Sequence, residues 1–167
     1  RLPLLPDHKK SPRLQILDTG MLNYFVGIQR DVFGATDLNN VYQGTMIEHL
    51  VGQELLADQF EALSSLNFWV KEKVTSTAEI DYIWPFDGKL IPIEVKSGKE
   101  GRLKSLHLFM DAAPHTMAVR FYAGELHITQ ALTPAGKVYH LLNIPYYLTS
   151  QLDNYLEWFK TQMVNFS

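Results

Sequence analysis

Apolar positions recur at helical spacing in three stretches of this chain and alternate with polar ones in several others. Ile47, Leu50, Val51 and Leu55 share one face of a helix predicted over residues 44–61. Leu152, Tyr155, Leu156, Phe159 and Met163 form a second stripe, which Ser150 is placed to cap. Leu103, Leu106 and Phe109 mark a third helix, which Ala112-Ala113-Pro114 ends. Strands are predicted at residues 68–70, 79–86, 89–96, 117–122, 125–129 and 138–142. Asp87-Gly88 is a strong two-residue turn signal between the second and third. Nearer the start, Leu14-Gln15-Ile16-Leu17 reads as a short strand or entry segment. Asp18 caps a short helix carrying Leu22, Phe25 and Val26, and residues 30–43 read as a loop. The order helix, strand, strand, strand, helix, strand, with extra elements at both ends, predicts an α/β or α+β domain with a mixed sheet.

Composition narrows the class. The 167 residues are 46% hydrophobic and 20% charged, the profile of a globular domain with a real core. The absence of cysteine removes disulfide and thiolate-metal chemistry and fits a cytoplasmic location. No apolar run approaches a membrane span. A formal charge of −3 excludes a strongly basic nucleic-acid binder but leaves room for a local basic face. Residues 1–13, with three prolines and four Lys/Arg residues, read as a linker from an upstream domain, and residues 14–167 as the domain itself.

The hairpin carries the chemistry. Counting outward from the turn pairs Phe86 with Lys89, and further out Asp81 with Glu94 and Glu79 with Lys96. On that register Glu79, Asp81, Glu94 and Lys96 leave one face of the sheet, while Ile80, Tyr82, Ile93 and Val95 leave the other. The 81/94 pair falls at a non-hydrogen-bonded site, as do Pro85 and Pro92, where the missing N–H costs the ladder nothing. Two carboxylates so close repel, and a divalent cation, a shared proton or Lys96 must compensate. Asp, Glu and Lys around Mg²⁺ are the parts needed to hydrolyse a phosphodiester.

The segments Ala78-Glu79-Ile80-Asp81-Tyr82-Ile83 and Ile91-Pro92-Ile93-Glu94-Val95-Lys96-Ser97-Gly98 resemble the core motif of the PD-(D/E)xK nuclease superfamily. That resemblance implies a restriction-endonuclease-like αβββαβ core with extra terminal helices. It also implies an acidic residue on the first core helix, a position that Glu48, spaced between Gly44 and Gly52, matches. Together with Leu17-Asp18-Thr19-Gly20-Met21-Leu22, the pattern over residues 11–110 is similar to a bacterial and archaeal domain of unknown function that follows AAA-type ATPase modules. The resemblance implies Mg²⁺ or Mn²⁺ held by Asp81, Glu94, Glu48 and the Val95 carbonyl. It further implies Lys96 as the residue positioning the nucleophile, DNA or another nucleic acid as substrate, and an ATPase upstream. No P-loop motif lies in the chain itself.

Lys99, Arg102 and Lys104 are candidate phosphate contacts, with a solvated loop and helix start as the plain reading. Glu54 is the second choice for the helical carboxylate, and Glu79 an accessory charge. Asp18-Thr19-Gly20 matches the aspartic-protease triplet but reads better as a helix cap. The six histidines show no zinc spacing. The expectation is a metal-dependent nuclease domain, free of any membrane span and compatible with oligomers. The competing expectation is a catalytically silent module that binds nucleic acid or protein and directs the ATPase.

Overall fold

Asp87 and Gly88 both adopt positive φ, 48° and 71°, the left-handed pair that a tight hairpin turn requires. Strands β2 (Ser76–Phe86) and β3 (Lys89–Val95) leave this turn in antiparallel register, from Phe86–Lys89 out to Tyr82–Ile93. Over these rungs it is the register counted from the sequence, but the further expected pairs Asp81–Glu94 and Glu79–Lys96 are not part of the ladder, and Glu79 stands opposite Val70 of β1. The computed structural model describes residues 7, 9, 11–36, 44–59, 65–73, 76–98 and 103–164. Around the hairpin lie α1 (Thr19–Phe25), α2 (Gln29–Gly34), α3 (Thr45–Ala57), β1 (Asn67–Lys73), α4 (Lys104–Ala112), β4 (Met117–Tyr122), β5 (His127–Leu132), β6 (Val138–Pro145) and α5 (Leu152–Val164). A short 3-10 helix, Tyr146–Gln151, joins β6 to α5.

The six strands form one mixed sheet in the order β1-β2-β3-β4-β6-β5. β3, β4 and β6 run parallel at its centre, and β1, β2 and β5 are antiparallel to their neighbours. Helices cover both faces. On one, Ile47, Val51 and Leu55 of α3 and Leu152, Leu156 and Phe159 of α5 pack over Ile93, Val119, Phe121 and Ile144. On the other, Leu106 and Met110 of α4 pack over Ile80, Ile83, Ala118 and Tyr139. The central strands are buried on both sides, as parallel strands between helical layers must be.

One irregularity decides where the site falls. Between the pairs Asn67–Ile83 and Trp69–Ile80, two steps along β1 face three along β2. The extra residue is a β-bulge, and it reverses the pleat of β2 beyond it. Tyr82 and Trp84 therefore join the α3–α5 layer, whereas Ile80 joins the α4 layer. The expectation that Ile80 shares a face with Tyr82, Ile93 and Val95 is corrected on this point.

Other differences are local. Residues 29–34 are helical rather than looped. β6 runs three residues further than predicted, to Pro145, and β5 lies later, at His127–Leu132. Ser150 sits inside the 3-10 helix and does not cap α5. Residues 14–17 form no strand. Asp18 caps α1 as expected, its Oδ1 accepting from Met21 N–H at 2.7 Å. Of the three apolar residues assigned to that helix only Leu22 is buried, while Phe25 and Val26 face solvent. Among the described residues no helix is long and apolar enough to cross a membrane.

Candidate functional site

The site forms where β2 and β3 part. The regular ladder ends at Tyr82–Ile93. Continued, it would give Val95 N–H to the carbonyl of Ile80. Instead Val95 N–H donates to Asp81 Oδ2 at 2.7 Å. The bulged residue thus turns its carboxylate back onto the neighbouring strand and takes the bond the pleat has lost. This fixes Asp81 against the ends of β3 and β4, where Lys96 N–H continues onto Phe121 O at 2.9 Å.

Alternation with Ile93 and Val95 sends the Glu94 and Lys96 side chains toward the α4 side. Lys96 Nζ donates to Glu94 Oε1. Glu94 is buried, its side chain only 8% exposed, and its second oxygen, Oε2, is buried without a hydrogen-bond partner. Burial holds the Glu94 carboxyl up to about 7, with Asp81 adding to the effect and Lys96 opposing it. Burial likewise holds Asp81 up to about 6, against the Val95 N–H. Two neighbouring carboxylates that resist ionisation mark a place where charge has been concentrated at a cost in stability.

Glu48 reaches the same place from α3. Tyr82 Oη donates to the Glu48 carbonyl at 2.7 Å. Gly52, one turn on, leaves space for that contact, since a Cβ there would lie 2.5 Å from Tyr82 Oη and 2.9 Å from the Gln15 amide. Gly52→Ala is therefore expected to cost about 1–3 kcal/mol of stability. Gly34→Ala, in open space with ordinary φ, is expected to be neutral or slightly stabilising, and thermal unfolding of the two variants separates the cases. Burial raises the Glu48 carboxyl, with Arg13 opposing.

Arg13 is the residue that sequence reasoning missed. Assigned to the linker, it stands inside the acidic group. Its Nη1 donates to Glu48 Oε1 at 2.9 Å and to the Asp81 carbonyl at 3.2 Å, and its Nη2 pairs with Glu79. The guanidinium also lies 4.9 Å from the centre of the Phe68 ring. Glu79 is thus paired with Arg13 rather than with Lys96, and it lies on the α3 side of the sheet because of the bulge. Glu79 and Glu94 thus leave the pleat on opposite sides, yet at this strand end Glu48, Glu79, Asp81 and Glu94 stay close enough that neighbouring carboxylates help to hold Glu48, Asp81 and Glu94 up. The signal that could have found Arg13 is weak: one arginine among the four basic residues of an aperiodic segment.

The remaining candidates divide cleanly. Lys104 is the exposed first residue of α4, and Ser105 Oγ of that first turn accepts from Glu79 N–H at 3.4 Å, so this helix start borders the site. Lys99 and Arg102 lie outside the described residues. Glu54 is exposed and borders a different feature, a cavity of about 520 Å³ also lined by Leu50, Tyr122, Tyr146 and Tyr147. Tyr146 Oη donates to the Lys96 carbonyl, so the cavity abuts the strand that carries the site.

The carboxylates suit a hard divalent cation in kind. As they stand, no three acidic or histidine side chains among the described residues are gathered closely enough to cage one. Arg13 holds Glu48 and Glu79, Val95 N–H holds Asp81, and Lys96 holds one oxygen of Glu94. Of the oxygens these partners leave over, Oε2 of Glu94 is buried without a hydrogen-bond partner, and a cation would satisfy it.

Fold and site together define a mixed α/β domain with a carboxylate–lysine centre where a bulged hairpin meets a parallel strand. Residues 43–147 match the family described as Domain of unknown function (DUF4143), and the chain belongs to that family. The match runs through β6 to the start of the 3-10 helix, and does not include the Leu17–Leu22 stretch of the expected resemblance. Among curated proteins and solved structures, none matches the chain.

Proposed function

We propose that the domain is a PD-(D/E)xK-type nuclease that hydrolyses phosphodiester bonds of DNA, or of nucleic acid more generally, with Mg²⁺ or Mn²⁺. The observation that carries the reading is the buried, unpartnered Oε2 of Glu94 beside Asp81 and Lys96. Support also comes from the element order α3, β1, β2, β3, α4, β4, which is the αβββαβ order of that superfamily.

Asp81 and Glu94 would hold the ion, with Glu48 and the Val95 carbonyl completing its shell. Bound there, the ion supplies positive charge to a phosphoryl oxygen and acidity to an attacking water. Lys96 keeps its ammonium at Glu94, where it would orient such a water and offset negative charge as the bond breaks. Burial of Glu94 and Asp81 keeps bulk water from screening these charges. Lys104 stands at the α4 start to meet a substrate phosphate. An ATPase module in the same protein and a cytoplasmic location are part of this proposal.

A second reading has its own observation. The side chains of the site are already partnered, and no ready cage exists among the described residues. A catalytically silent module that binds nucleic acid or a protein, and directs the ATPase, accounts for that. Calorimetric titration of Mn²⁺ into the wild type and Asp81→Ala decides between them. The nuclease reading expects binding that Asp81→Ala abolishes. Absence of binding in the wild type transfers the case to the silent module.

A further inference from the structure

The segment leading into α1 does more than connect. Gln15 donates from Nε2 to the His49 carbonyl at 2.9 Å, and Gln53 donates from Nε2 to the Ile16 carbonyl at 2.7 Å. Residues 13–16 are thus strapped along α3 by two side-chain bonds that do not involve Arg13. The strap sets Arg13 down among two carboxylates, a backbone carbonyl and an aromatic face. These are the groups that recognise a guanidinium, and Glu48 is also one of those that the proposed metal centre needs.

We propose that the Arg13 guanidinium and a divalent cation are alternative occupants of the Glu48 carboxylate, so that the strap is a built-in gate on the site. The inference rests on the metal-centre reading above. Glu48 Oε1 accepts from Arg13 at 2.9 Å, so a cation on the same carboxylate meets the guanidinium's positive charge at close range and binds better once Arg13 has moved away. Both partners are about 30% exposed, at 30% for Arg13 and 28% for Glu48, so the exchange needs a side-chain movement and no opening of the core. The Phe68 ring and Glu79 then offer the guanidinium a seat beside the site once it lets go of Glu48.

Mn²⁺ calorimetry on the whole chain tests the gate. Arg13→Ala removes the competitor and should bind Mn²⁺ about five- to tenfold more tightly than the wild type. Gln53→Ala frees one end of the strap while leaving every charge in place, and should tighten binding by a smaller factor. It also serves if Arg13→Ala fails to fold. Equal affinities in all three proteins, with binding still lost in Asp81→Ala, would overturn the gate and leave the metal centre standing. Weaker binding in Arg13→Ala would also overturn it, by making Arg13 an organiser of the site. No Mn²⁺ binding in any of them would remove the metal centre, and the gate with it.

Discussion

Glu94→Gln is expected to lose metal-dependent cleavage of DNA by on the order of a hundred- to a thousandfold, with nucleic-acid binding retained. The amide keeps the shape of the side chain and one acceptor for Lys96, so the hairpin and the β3–β4 pairing have no reason to change. What it removes is the negative charge, and it puts an N–H₂ group where one carboxylate oxygen stood. Neither change suits a hard cation. Lys96→Ala should fall by a similar factor by a different route, since it removes the ammonium beside the site and the one group that favours the charged form of the buried Glu94 through a hydrogen bond. Cleavage of a plasmid and of a labelled single strand, each with Mg²⁺ and with Mn²⁺, measures both variants. Full activity in Glu94→Gln would sink the assignment of the site. A wild type that cuts nothing would favour the silent module.

The same substitution should stabilise the metal-free protein, and more so as pH rises. The folded state holds Glu94 up to about 7 and Asp81 up to about 6, both above ordinary carboxylates. A raised acid binds its proton more tightly folded than unfolded, so stability is greatest below the unfolded value and falls as pH climbs through the folded one. For Glu94 the window runs from about 4.5 to about 7. His49 and His115 act in the opposite sense, because burial lowers both, and their contribution rises with pH until the unfolded imidazole has lost its proton. The wild-type curve alone therefore mixes two trends. The difference between Glu94→Gln and wild type isolates the carboxylate. In the presence of EDTA it should be near zero at pH 4 and reach about 2–3 kcal/mol at pH 8, roughly 4–12 °C in melting temperature. A constant difference across that range would mean that Glu94 ionises as an exposed carboxylate does.

Much of the hairpin was legible because its information is local. Asp-Gly sets the turn, the turn sets the register, and Pro85 and Pro92 fit only certain rungs. The stripes of α3 and α5 were legible for the same reason: 3.6-residue periodicity needs no partner to be read. The bulge at Asp81 was not. It arises from a competition for Val95 N–H between a backbone carbonyl and a carboxylate, and from a mismatch against β1, neither of which is written in the hairpin itself. Parity counting placed Asp81, Glu94 and Lys96 at one strand end, yet it put Glu79 and Ile80 on the wrong faces, because a single extra residue inverts every position beyond it. Arg13 lay further out of reach. Its role depends on two glutamines gripping carbonyls across the strap–helix contact, and such polar bonds leave no periodic trace.

The placement of α5 bears on how the domain should be cut for expression. Leu152, Leu156 and Phe159 are wholly buried under the same layer as Val119 and Ile144, although all three lie beyond residue 147, where the family match stops. A recombinant fragment trimmed to the matched interval would bare that side of the sheet and would also lack Arg13. Insolubility or weak binding in such a fragment would describe the scissors rather than the domain, and the piece to clone extends through α5.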